Sequence, residues 1–221
     1  MARIWSYTGE TGPEFWPNLS QEFYEAAQFP LQSPISLSYE ETQLLYEEII
    51  FHYERQRFHI KNQNDTIHFE PANKGSFIDF LNKRYYLTDI HFHMPSEHII
   101  TNEQIPLEFH LVHKNNDGGL LVCAVLFYLT EETAPLWEDE NSEFLFDPSL
   151  LLPLNSGYFY YEGSLTTPPT EGPVQWIVFD QKKPISSFFI ERFKTNLFPN
   201  NRPLQDKRDR TIYYKKLIKN E

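Results

Sequence analysis

Several things are scarce in this sequence, and each scarcity excludes something. There is a single cysteine, Cys123, in 221 residues. One thiol cannot close an internal disulfide, so a cross-linked secreted scaffold is excluded and the core must hold the fold unaided. Positive charge is short as well: 19 Lys and Arg against 31 Asp and Glu leave a formal charge of −12. Nucleic acid and anionic bilayers both demand a cationic surface, so neither is expected as a partner. No apolar run approaches the roughly 20 residues of a membrane-spanning helix. The longest, Leu120 to Leu129, reads instead as a strand buried on both faces. Glycine is outnumbered by proline, 8 to 16. Prolines spread along the chain disfavour long helices and suit short elements joined by turns. The start, Met1-Ala2-Arg3-Ile4-Trp5-Ser6-Tyr7, lacks the apolar stretch of a secretory signal, and the expected location is cytoplasmic.

Aromatic side chains, by contrast, make up 16% of the chain, far more than a disordered chain carries. The length fits one large domain, read here as 1–221, with no linker or repeat. Strand patterns cover Phe58 to Ile60, Thr66 to Phe69, Tyr85 to His93, Leu107 to His113, Leu120 to Leu129 and Val174 to Phe179. Turn signals separate them: Asn64-Asp65, Asn73-Lys74-Gly75, Asn115 to Gly119 and Pro168-Pro169. Helices are expected at Ser20 to Ala27 and near Ser186 to Thr195. The acidic Glu131 to Glu143 reads as a solvated loop or short helix, and the basic C-terminal stretch as a solvated edge. The fold class is therefore mainly β, with short peripheral helices.

Five of the eight histidines fall between His91 and His113. On a strand, side chains two apart share a face. Asp89, His91 and His93 then face one way, and Glu108, His110 and Val112 share a face on the next strand. The connection Met94 to Pro106 is long enough to return that strand antiparallel, so His91, His93 and His110 can converge. Three imidazoles with no fourth protein ligand suit a catalytic zinc site with an open position. Asp89 and Glu108, each two residues before a histidine, sit where a ligand's second ring nitrogen needs a partner. His98 and His113 lie outside this pattern and are expected to hydrogen-bond or pack.

The run His91-Phe92-His93-Met94-Pro95-Ser96-Glu97-His98, followed by Leu107 to His113, closely resembles the α-class carbonic anhydrases. Further blocks follow the family's order: Trp5-Ser6-Tyr7-Thr8-Gly9-Glu10 with Gly12-Pro13, Gln32-Ser33-Pro34-Ile35, Tyr161 to Pro169, and Asn201-Arg202-Pro203-Leu204-Gln205. The resemblance implies a large, mostly antiparallel twisted central sheet. It also implies a zinc enzyme that converts CO2 to bicarbonate and a proton through attack by zinc-bound hydroxide. His91, His93 and His110 would be the zinc ligands, with Asp89 and Glu108 behind them. Thr166 would accept a hydrogen bond from the hydroxide and pass one to Glu97. Val112, Val122, Leu165 and Trp176 would line an apolar CO2 pocket, with Thr167 and Tyr7 on its polar side. Sulfonamides or anions would be inhibitors, and a homodimer is left open.

The chain departs from the family pattern in several places. Asp65 falls where efficient members place a proton-shuttling histidine, and a carboxylate near its reference pKa of about 3.9 is a poor match for that task. His68, three residues on, is the other candidate. Asp89 stands where a glutamine is usual. The two cysteines of exported relatives are absent, and Cys123 reads as inert core. The stretch between Leu129 and Tyr158 is short for the family, as if a peripheral helix were missing. The competing reading is a non-catalytic carbonic-anhydrase-like binding module. Such modules usually lack a zinc histidine, and this chain keeps all three.

Overall fold

The computed structural model describes residues 5–63, 66–131, 143–192 and 199–216. In chain order the strands are β1 Ser36–Leu37, β2 Thr42–Leu44, β3 Ile50–His52, β4 Gln56–Gln63, β5 Thr66–Pro71, β6 Phe77–Phe80, β7 Lys83–His93 and β8 Ile99–Ile100. They continue with β9 Glu103–Gln104, β10 Leu107–Lys114, β11 Leu120–Thr130, β12 Glu143–Phe146, β13 Tyr158–Gly163, β14 Val174–Phe179, β15 Lys183–Ser186 and β16 Ile212–Lys215. Two short helices, α1 Gln21–Ala26 and α2 Ser187–Arg192, lie outside the sheets. Helix α1 starts where Ser20 Oγ accepts the Phe23 amide at 3.1 Å, an N-cap that satisfies one orphan donor.

Among the described residues thirteen strands form one mixed sheet: ten follow the path β12-β4-β5-β7-β10-β11-β14-β13-β16-β2, while β6 joins β7, β3 joins β6 and β15 joins β11 beside it. Pairing is antiparallel from β12 through β11 and parallel between β11 and β14. Antiparallel strands need only short returns, which suits a chain rich in turn residues. The mainly β fold class therefore holds. The helix expected at Ser20 to Ala27 is α1, and that near Ser186 to Thr195 begins as α2, with 193–198 outside the described residues. Most of the acidic stretch, 132–142, also lies outside them, while Glu143 opens β12 instead of ending a loop.

Strand β11 corrects one expectation. It is buried from Leu121 to Phe127, but Tyr128 and Leu129 are exposed. Its parallel partner β14 reaches only from Leu120 to Ala124, and the short β15 covers the far end alone. The basic C-terminal stretch is not wholly solvated either. Arg210 is buried and donates to the backbone carbonyls of Gln32 and Lys207, and Lys215 pairs with Glu48.

Strand β7 corrects a second. The expected alternation over Tyr85 to His93 breaks at Thr88. Val112 of β10 faces Asp89, but His113 faces Leu87, so Thr88 is an extra residue in a β-bulge. Before the bulge, Tyr85 and Leu87 point into the main core. After it, Ile90 and Phe92 do, and Asp89, His91 and His93 turn to the opposite face. Thr88 itself is exposed, and its hydroxyl donates to the Val112 carbonyl at 3.1 Å.

The sheet thus separates two cores. One face carries Ile90, Phe92, Phe109, Leu111, Cys123, Val125, Phe127 and Ile177. The other carries Val122, Ala124, Leu126, Phe159, Tyr161, Trp176 and Val178 beside the histidines. Fully burying one side chain the size of Phe92 or Phe109 is worth about 1.5–3 kcal/mol, so the larger core can stabilise the fold without a cross-link. Cys123 is free and buried on the far face, and burial pushes its thiol pKa up, which leaves it unreactive.

Candidate metal centre

His91 and His93 on β7 and His110 on β10 meet because His110 pairs directly with His91 and Glu108 with His93. One ring nitrogen from each lies within 4.8 Å of the other two. The remaining nitrogens decide which ones carry lone pairs. His91 Nδ1 donates to Asp89 Oδ2 at 2.6 Å. His93 Nδ1 donates to the Asn200 carbonyl at 2.7 Å. His110 uses Nε2 instead, donating to Glu108 Oε1 at 2.7 Å. Each outward bond fixes a tautomer whose bare nitrogen faces the cluster. His93 Nε2 is buried there with no hydrogen-bond partner among the described residues. A buried lone pair without a donor is costly, and three imidazole nitrogens facing one another fit a borderline divalent metal such as Zn²⁺.

Electrostatics agree. Burial pushes His91 and His93 down to about 4 and His110 down to about 3, despite their acceptors, so all three are neutral at pH 7. Burial also raises the Asp89 and Glu108 carboxyls, but their histidine partners outweigh it and hold both well below the usual range. Glu97 behaves differently: burial and the nearby Glu108 push it up to about 8. Its Oε1 accepts the Arg202 amide at 2.7 Å, and the Thr166 hydroxyl approaches it closely enough to favour its ionised form.

These shifts set a pH dependence for the metal-free protein. Unfolded histidine titrates near 6.5, whereas the three cluster histidines and buried His113 titrate at about 3 to 4. Between those values the unfolded chain binds more protons, so stability falls as pH drops from about 6.5 toward 4. Glu97, raised to about 8, acts in the opposite sense as pH rises through that value, but it is one group against four. Denaturant midpoints of metal-stripped protein should therefore be lower at pH 5 than at pH 7.

The structure brings most of the other candidates to the same place. Val112 pairs with Val122, and Val122 with Trp176, so these three form a continuous apolar wall with Leu165 packed against it. The Trp176 ring centroid is 4.9 Å from that of His110, held there by its indole N–H on the Ser164 carbonyl. The Tyr7 ring centroid lies 6.5 Å from that of His93, edge to face. Thr166 is buried and Thr167 partly exposed in the turn after β13. His68 on β5 pairs with His91, and its Nδ1 lies 2.9 Å from Asp89 Oδ2. Asp65 lies outside the described residues.

Two partners, Asn200 and Arg202, were not singled out from the sequence, and a third, His98, hydrogen-bonds as expected but to partners the sequence did not name. Asn200 supplies the carbonyl for His93, and a backbone carbonyl has no residue signature. His98 donates to Glu108 at 2.6 Å and meets Tyr161 Oη at 2.7 Å. Arg202 holds Glu97 through its amide while its guanidinium donates to Gln32 and the Ser33 carbonyl. The Gln32-Ser33 and Asn201-Arg202 blocks marked these neighbourhoods but not these bonds.

A large mixed sheet gathers three neutral imidazoles, a group that could hold a metal ion, beside an apolar wall. The family model for eukaryotic-type carbonic anhydrase matches residues 11–216. The carbonic anhydrase of Pectobacterium carotovorum is 31% identical over 222 residues, covering 95% of this chain and 90% of that protein. The α-carbonic anhydrase of Thermovibrio ammonificans, solved with the inhibitor sulfanilamide, superposes with a TM-score of 0.86 at 31% identity, covering 96% of this chain and all of that one. Dioscorin complexed with ascorbate superposes at 0.83 with 26% identity, covering 98% of this chain and 99% of that one. The chain belongs to the eukaryotic-type, or α, carbonic anhydrase family. Within that family it is a carbonic anhydrase, an enzyme of CO2 hydration.

Proposed function

We propose that the chain hydrates CO2 reversibly to bicarbonate with Zn²⁺ held by His91 Nε2, His93 Nε2 and His110 Nδ1. The observation that carries this reading is the set of outward hydrogen bonds, which leaves those three nitrogens as converging lone pairs. Bound Zn²⁺ would supply the Lewis acidity that generates hydroxide from water near neutral pH, an established property of carbonic anhydrases as a class.

The chain's own residues do the rest. The Arg202 amide fixes Glu97, and Glu97 in its ionised form would accept the Thr166 hydroxyl hydrogen. Thr166 Oγ1 is then an acceptor, which orients an oxygen nucleophile that has a hydrogen to donate and disfavours species that have none. Val112, Val122, Leu165 and Trp176 offer CO2 an apolar surface, which suits a molecule with no net dipole. Tyr7 and Thr167 form the polar rim through which bicarbonate would leave. The same cavity would admit sulfonamides, the class present in the Thermovibrio ammonificans structure.

Proton exit is the weak step. Asp65 is a poor donor match, and the His68 Nδ1 hydrogen is already engaged by Asp89. Turnover at fixed pH should rise with imidazole buffer concentration, and a flat response would place an efficient shuttle elsewhere. The Asp89 carboxylate makes His91 more electron-rich than an amide would. The pH–rate midpoint should therefore lie above that of Asp89→Gln, and an equal or lower midpoint contradicts the assignment.

The likeness to dioscorin favours a second reading, a binding module without turnover. Retention of all three imidazoles together with Thr166 and Glu97 supports the enzyme. Zinc content and CO2 hydration of the purified protein decide between them: stoichiometric zinc without hydration selects the binding module.

A further inference from the structure

The three orienting acceptors are not held alike. The Asn200 carbonyl behind His93 belongs to a residue tied down three times: its amide donates to the Met94 carbonyl, its Oδ1 accepts the Met94 amide, and its Nδ2 donates to the Phe92 carbonyl. Glu108 behind His110 accepts four donors: the amides of Glu97 and His98 at 2.8 Å each, His98 Nδ1 and His110 Nε2. Asp89 behind His91 has neither kind of support. Oδ1 is buried with no hydrogen-bond partner among the described residues. Oδ2 accepts from His91, and one other side chain, His68, lies within hydrogen-bond distance of it.

His68 is placed for this by the sheet. It sits on β5 directly opposite His91 on β7, on the same face, with ring centroids 5.0 Å apart. Asp89, two residues before His91, therefore lies between the two rings. The location is also the outer side of the cluster: side-chain exposure is 24% for His68 and 18% for Asp89, against zero for Glu108. A carboxylate near water, held by one bond, can swing outward and hydrate. Held by two donors from two strands, it cannot turn without breaking one of them.

We propose that His68 is a positioning residue for the metal centre, whose Nδ1 hydrogen bond to Asp89 Oδ2 fixes the carboxylate that in turn fixes the ring and tautomer of His91. The inference rests on the reading of His91 as a zinc ligand, and it gives His68 a task separate from any proton relay. Outer partners of metal-bound histidines typically change metal affinity by about 10–100-fold when removed.

The test is retention of zinc by the full-length holoprotein against excess EDTA. His68→Ala should lose zinc about 10–100-fold faster than wild type. His68→Asn, whose amide N–H can replace the Nδ1 hydrogen at the same branch point, should restore retention. In an Asp89→Ala background the His68→Ala change should have no further effect, since the acceptor it would leave is already gone. The melting temperature of the metal-free variants separates positioning from general loss of fold. Wild-type retention in His68→Ala, an Asn variant as defective as the Ala variant, or the same further loss in the Asp89→Ala background overturns the proposal. Wild-type protein that takes up no zinc at all overturns the metal reading itself, and the proposal with it.

Discussion

His93→Ala is expected to lose both its metal and its hydration activity, with the rate falling at least about a thousandfold, as befits removal of several kcal/mol of metal-ion catalysis. His93 is the most enclosed of the three cluster histidines. Its side chain is fully buried, its Nδ1 is committed to the Asn200 carbonyl, and its Nε2 has no hydrogen-bond partner among the described residues. Two remaining imidazoles cannot bind zinc tightly, and alanine leaves no acceptor in their place. Zinc analysis and stopped-flow CO2 hydration on the variant check this together. A variant that keeps stoichiometric zinc and near-normal turnover would remove His93 from the ligand set.

Glu108→Ala should be the most damaging single change to the fold within the site, costing several kcal/mol, since each buried donor left unpaired costs about 1–3 kcal/mol. The carboxylate is wholly buried and is the shared acceptor for two side chains and two amides. Alanine would strand all four donors out of water, with a penalty for each. It would also release His110 to either tautomer, so zinc should be lost as well. Glu108→Gln keeps the volume and one acceptor oxygen but puts an N–H against other N–H groups, and it should be intermediate. Denaturant midpoints in the absence of metal, followed by zinc titration, separate the two losses. A Glu108→Ala protein as stable as wild type would mean that water replaces the carboxylate in the folded state.

Part of this architecture was legible in the sequence, and the reason is periodicity. The rule that residues two apart share a face was enough to bring His91, His93 and His110 together with Asp89 and Glu108, because those five lie on two adjacent strands joined by a short return. The mainly β class was legible for the same reason, along with the early helix behind Ser20. What escaped depends on contacts between distant parts of the chain. His98 reaches Tyr161, 63 positions away, and the Asn200 carbonyl reaches His93 from 107 positions away. Neither bond leaves a local pattern. The exposed end of β11 escaped because burial is decided by the length of its neighbours β14 and β15, not by its own apolar run. The bulge at Thr88 escaped because threonine is an ordinary strand residue and carries no bulge signal of the glycine kind.

That bulge has a consequence best put in terms of reading frame. Strand β7 is two half-strands read in opposite phase, with Thr88 as the inserted letter between them. Tyr85 and Leu87 feed the large core in one frame, while His91 and His93 feed the cluster in the other. Substituting Thr88 leaves both frames intact. Deleting it restores a single frame, in which either the two core side chains are expelled into the cavity or the two imidazoles are driven into the core. An exposed residue whose side chain belongs to neither core is thus the position where β7 can least tolerate a gap, although it can accept almost any exchange.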